Sequence, residues 1–206
     1  MPFSPANLAA LVIAASFAAG LNVYATVFTL GLLSRLHWVT LPSGLDTLAH
    51  TWVLVVAGLL FAAEFIADKI PALDLVWNAL HTFIRIPVAA LVAWQATSHL
   101  SPGMQLLATS AGATIALITH GSKTAVRAAV TPSPEPFSNI ALSTTEDAVA
   151  IGVTWLATHH PVAAAFTALI LLAAAVLAAR TLFRALRRLL SRFVTGPERA
   201  LNLPTD

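Results

Sequence analysis

The chain has 206 residues, 58% hydrophobic and only 10% charged, with a mean hydropathy of +0.82; a soluble domain carries roughly 25% charged residues, so that class is excluded and an integral membrane protein follows. Cysteine is absent, which excludes disulfides and thiolate chemistry and leaves only His, carboxylates and carbonyl oxygens as metal ligands. The formal net charge of +2 comes largely from an arginine-rich C-terminal stretch, and nucleic acid is not expected as a partner.

Several apolar runs reach the ~18 to 20 residues that cross a bilayer core as a helix. None shows the ten-residue alternation of a membrane barrel. The expected fold is all-α, a polytopic bundle of about six spans, with broken or re-entrant helices and an internal repeat among its expected features. The first run, about 6–33, lacks the basic n-region of a signal peptide and continues well past any cleavage site, so it reads as a retained span. Asn22, Tyr24, Thr26 and Thr29 follow Gly20 in it, where small residues let another helix approach or let this one deform.

The second span, about 51–70, ends in "LFAAEFIADKI". Glu64 and Asp68 stand at i, i+4 and share a face, with Lys69 beside them. The third, about 83–100, follows a polar stripe: Asp74, Asn78, His81 and Arg85 fall close to one line on a helix. Asp74 suits an N-cap, and Pro87 suits a kink where the stripe gives way to apolar residues.

The fourth span, about 104–123, adds Ser110, Thr114, Thr119, His120 and Lys123. The fifth, about 139–158, repeats the stripe with Asn139, Ser143 and Glu146, next to Asp147. Both acids lie roughly 10 to 12 Å past Asn139, near the midplane of a ~30 Å core, where charge costs most. Only "AVAIGVTWLA" beyond them is cleanly apolar, so a break or re-entrant turn is expected in this span. The sixth runs from about 162 to 182. Residues 1–182 read as the bundle, and 183–206 as a basic amphipathic tail on anionic cytoplasmic lipids. The matching endings "AEFIADKI" and "LITHGSKT" suggest that spans two and three repeat as four and five.

With both termini inside, ten of the eleven Lys and Arg lie on the cytoplasmic side and only Arg35 lies outside, as the positive-inside rule requires. The two acidic pairs need cations, protons or water. Lys69, Arg85, Lys123, Arg127, His81 and His120 all fall at a depth where they can supply charge.

"THGSKT" lacks the first glycine of a phosphate loop. No H-E-x-x-H or nucleophile elbow is present, so no enzymatic activity and no cofactor are expected.

"AAGLNVYATVFTLGLLSRL", "EFIADKIPALDLVWNALHTFIRIPVAAL" and "SNIALSTTEDAVAIGV" resemble a family of small bacterial membrane proteins catalogued as a domain of unknown function. That resemblance covers most of the chain to about residue 160 and implies a shared membrane fold, not an activity. A weaker resemblance is to the calcium/manganese–proton exchangers, whose E-x-G-D-K-T motif lines a cation path. Here Glu64, Asp68 and Lys69 stand as E-x-x-x-D-K, one residue longer and without the glycine.

The expected function is a transporter or channel of the bacterial cytoplasmic membrane, moving a small ion or solute, a cation or a proton-coupled one, through a polar cavity. Glu64, Asp68, Glu146 and Asp147 would bind the ion or carry protons, and are also the candidate metal ligands. Asp74, Asn78, His81 and Arg85 would line the entrance, Asn22 with Tyr24 would close it, and Lys69, His120, Lys123, Asn139 and Ser143 complete the path. The alternative is a non-transporting scaffold for a partner complex, its polar groups closed into ion pairs. Either reading is compatible with a homo-oligomer.

Overall fold

The computed structural model describes residues 4–130 and 136–200. Among these residues every regular element is helical: α1 (Pro5–Leu21), α2 (Val23–Arg35), a 3₁₀ segment (Ser43–Ala49), α3 (Thr51–Ala67), α4 (Pro71–Ala96), α5 (Pro102–Val130), α6 (Pro136–His159) and α7 (Pro161–Ala200). Prolines open α1 and α4 at their first turn, where the missing N–H has no helical partner to lose.

The first helix is the axis of the bundle and packs against α4, α5, α6 and α7. Its sequence explains why. "AALVIAASFAAG" is mostly small, so neighbouring backbones come close. Gly20 marks the tightest contact: a Cβ there would stand 2.6 Å from the Thr119 Cβ and 2.9 Å from the Ala116 carbonyl of α5. At Gly112 a Cβ would press on Ala93 of α4 and Ser16 of α1, both at 2.8 Å. Around this axis Leu11, Phe17, Val153 and Ala164 form one apolar cluster, and Val12, Leu30, Leu41 and Val92 another.

The distribution of side chains is inverted relative to a soluble protein. Phe83 is 80% exposed and Ile170 68%, while Glu64, Asp68, Asp74 and Arg85 are 0% exposed. An apolar exterior around a charged interior is what lipid as solvent favours. Among the described residues, two helices are long and apolar enough to cross a membrane, Val76–Ala96 and Pro161–Arg188, or three if the 3₁₀ segment and α3, bent by 67°, form one span. These apolar helices suggest a membrane protein.

The break in the helices falls elsewhere than the sequence suggests. The fifth expected span is the uninterrupted helix α6, because its two acids find partners without bending the backbone. The first expected span is divided at Asn22 into α1 and α2. Asp74 does not cap α4: Ile70 holds the N-cap position, and Asp74 sits in the first turn. Pro87 stands inside α4 without ending it. Helix α7 continues without a break across the expected boundary at 182, and the last tail residues, 201–206, lie outside the described residues, as does most of the "TPSPEP" connection.

Candidate functional site: a buried charge cluster at a helix break

Asn22 is extended (φ −148°, ψ 103°) between two helices. Its side-chain oxygen accepts the N–H of Ala25 at 2.9 Å, as an N-cap does. In a continuous helix that N–H would bond to the Leu21 carbonyl. Freed from it, the Leu21 carbonyl instead accepts from the Lys123 ammonium at 2.9 Å. The Asn22 amide nitrogen donates to Asp147 Oδ1 at 2.8 Å, so one residue caps α2 and anchors an acid of α6.

Three cations answer the other acids. Arg127 on α5 donates to Asp74 Oδ1 at 2.6 Å, to Asp68 Oδ2 at 3.1 Å and, through Nε, to Glu146 Oε2 at 3.0 Å. Lys123, one turn earlier on the same helix face, lies 3.3 Å from Glu146 Oε2, 3.5 Å from Asp68 Oδ2 and 3.8 Å from Glu64 Oε1. Arg85 on α4 pairs with Glu64 and donates to Asn78 Oδ1 at 3.2 Å and His120 Nδ1 at 2.9 Å. Asn78 in turn donates to Asp74 Oδ1 at 2.6 Å, which closes the stripe on itself.

Donor and acceptor rules fix both histidines. A guanidinium only donates, so His120 Nδ1 accepts; its Nε2–H then points to Thr82 Oγ1 at 2.8 Å, whose hydroxyl donates to the Asn78 carbonyl at 3.2 Å. His81 Nδ1 donates to the Trp77 carbonyl at 2.7 Å, and its Nε2 meets the Tyr24 hydroxyl at 3.0 Å. Burial pushes the carboxyl of Asp74, which precedes the apolar span of α4, up to about 6 against the pull of Arg127, and the neighbouring Asp68 adds to the rise.

The cluster is not fully satisfied. Glu64 Oε2, Asp68 Oδ1, Asp74 Oδ2 and Asp147 Oδ2 are buried with no hydrogen-bond partner among the described residues, as are Asn139 Oδ1, Ser143 Oγ and Arg85 Nε. Nor is it neutral. Among the described residues, the five carboxylates of Glu64, Asp68, Asp74, Glu146 and Asp147 face the three cations Arg85, Lys123 and Arg127, which leaves a formal charge of −2.

The structure therefore brings together nearly all the residues singled out from sequence. Asn139 belongs to the cluster too, donating to the Asp68 carbonyl at 3.1 Å. Lys69 does not belong: its ammonium bonds the Phe65 carbonyl at 2.9 Å and lies over the Phe65 ring, 3.1 Å from its centre. A lysine next to Asp68 in sequence makes its direct contacts with Phe65, one turn back on α3, and, among the described residues, no ion pair with Asp68. The four candidate metal ligands are distributed over Arg85, Lys123, Arg127 and Asn22, and among the described residues no group of three or more His, Asp or Glu is arranged to hold a metal ion. Arg127 and Thr82 join the cluster from outside the path that the sequence predicts. The i, i+4 spacing of Lys123 and Arg127 was the signal available for the first.

No curated protein and no solved structure matches the chain. The family model described as Domain of unknown function (DUF4126) matches residues 9–181, and the chain belongs to that family.

Proposed function

We propose that the protein is a multi-pass transporter or channel that moves a small cation, or protons, through this cluster. The observation that carries the reading is the uncompensated charge: among the described residues, a buried formal −2 with four carboxylate oxygens lacking a hydrogen-bond partner. Each such group costs several kcal/mol in a medium of low dielectric. Protons, water or a bound cation must supply what the chain does not. The Tyr24–His81 contact and the break at Asn22 fit the same reading, since broken helices present free carbonyls to cations in transporters.

In the arrangement we favour, α1 with α2, then α3, α4, α5, α6 and α7 make six crossings of a bacterial cytoplasmic membrane, with both termini cytoplasmic. Arg180, Arg184, Arg187 and Arg188 of α7 then meet anionic headgroups. The test is flux in proteoliposomes. Glu64→Gln and Asp147→Asn should each abolish cation or proton movement while leaving a folded protein; undiminished flux in both rejects the path.

The scaffold reading is favoured by a different observation, the engagement of Glu64, Asp68, Asp74 and Glu146 with basic side chains. It expects wild-type proteoliposomes that are tight to protons and cations alike.

A further inference from the structure

The Lys123 ammonium sits among oxygens from four separate parts of the chain. The Leu21 carbonyl at the end of α1 is 2.9 Å away; Glu146 of α6, Asp68 at the end of α3 and Glu64 of α3 follow at 3.3, 3.5 and 3.8 Å. The C-terminal end of α1 adds the negative end of its dipole. The same carboxylate oxygens also meet guanidiniums, Glu64 Oε1 that of Arg85 and Asp68 Oδ2 and Glu146 Oε2 that of Arg127, so Lys123 is the one ammonium among them. It reaches the shell on a flexible four-carbon stem.

Two further features bear on what this shell takes. Glu64 Oε2 and Asp68 Oδ1, on side chains with 0% exposure, have no partner among the described residues, and neither does the Oδ1 of Asn139, which is 3% exposed and bonded through its nitrogen to the Asp68 carbonyl. Oxygen capacity therefore exceeds what the Lys123 ammonium and the guanidiniums of Arg85 and Arg127 use. The shell already accommodates a cationic group of single charge, the Lys123 ammonium, so an ion of the same charge and similar size enters it without altering the local charge.

We propose that the oxygens of Leu21, Glu64, Asp68 and Glu146 form a monovalent-cation site, for K⁺ or ammonium, in which the Lys123 side chain is a tethered stand-in. This names the cargo class of the site described under the proposed function and rests on that reading for its role in transport. When the ammonium of Lys123 withdraws, an ion of the same charge and similar size takes its place. The charge of the cluster is then unchanged by the exchange. The balance is what makes a swap feasible where simple removal of a buried cation is not.

The test uses Lys123→Met, which reproduces the aliphatic stem and stops one atom short of the ammonium. Full-length wild type and K123M are melted in detergent in KCl, NH₄Cl or N-methyl-D-glucamine chloride at equal ionic strength. K123M should melt below wild type in N-methyl-D-glucamine and rise saturably towards it with K⁺ or ammonium, as ligand linkage requires, while wild type moves little. Adding Asp68→Asn to K123M should raise the concentration needed for half recovery.

A folded K123M that melts at one temperature in all three salts overturns the site. If K123M does not fold, the variant combining it with Glu146→Gln, which removes one charge of each sign, is judged by the same shift. Failure of both to fold even when purified in K⁺ or ammonium throughout also overturns it, because a shell that accepts those ions would have been refilled. Binding is read here without transport: salt-specific recovery of K123M alongside tight wild-type proteoliposomes keeps the site and removes the transporter, and flux without recovery does the reverse.

Discussion

Replacing Asn22 by alanine tests the coupling of the helix break to the charge cluster. The substitution removes two interactions at once. The cap on the Ala25 N–H, 2.9 Å long, is worth about 1 kcal/mol by the usual cost of an N-cap to alanine. The donor to Asp147 Oδ1, 2.8 Å away, leaves a buried carboxylate whose other oxygen already lacks a partner, at a further ~1 to 3 kcal/mol or more. The expected loss is therefore about 2 to 4 kcal/mol, a large share of the stability of a domain this size. Asn22→Ser separates the two parts, because serine keeps a capping oxygen but is too short to reach Asp147, so it should lose about 1 kcal/mol less than alanine. Reversible unfolding in mixed micelles, titrated with a denaturing detergent, measures both. An N22A protein within about 0.5 kcal/mol of wild type, the scatter of an ordinary surface change, would refute the coupling; so would a serine variant less stable than the alanine one, which would mean that the cap contributes nothing.

Arg85 and Glu64 should behave as a unit. Arg85→Leu alone strands a buried carboxylate and should cost about 3 to 5 kcal/mol, whereas adding Glu64→Leu should recover most of the loss; a double variant as unstable as the sum of the singles would show that the pair is not what Arg85 supports. At Gly20 a Cβ meets α5 at 2.6 Å, so Gly20→Ala should cost about 1 to 3 kcal/mol by overpacking. Gly121 on the same helix pair has no atom within 4 Å of an added Cβ, and its alanine variant should gain up to about 1 kcal/mol from helix propensity alone; equal effects at the two glycines in the unfolding assay would contradict the close approach.

Charge in an apolar sequence is visible without a structure, which is why Glu64, Asp68, Glu146 and Asp147 could be named in advance. Helical spacing likewise put Asp74, Asn78 and Arg85 on one face, and they do bond to one another. What spacing within a helix does not carry is the choice of partner. Arg127 reaches acids 53 and 59 positions earlier and one 19 positions later, and only the packing of α5 against its neighbours brings them together. Lys69 shows the opposite failure: nearness in sequence made it a natural partner for Asp68, yet its direct contacts are with Phe65, one turn back on α3. Acids that interrupt an apolar run point to a helix break in α6, which is continuous. The break lies at Asn22, because breaking a helix in lipid requires a side chain that can satisfy the freed backbone itself, and Asn22 does so with one end of its amide while holding Asp147 with the other.

Stability alone does not account for this interior. A buried ion pair returns little net stability, and apolar residues of the same shape would serve as well or better. Seven ion pairs link the described acids to Arg85, Lys123 and Arg127, so the chain maintains a costly arrangement. A need for specific packing would explain matched pairs, each acid with its cation. It does not explain two acids beyond the cations that the described residues supply, nor carboxylate oxygens that meet no donor among them. An excess of negative charge is useful where a positive charge arrives and leaves, and its position beside the freed carbonyl of Leu21, with a flexible lysine holding the place, is why the cluster is better read as a path than as a clamp.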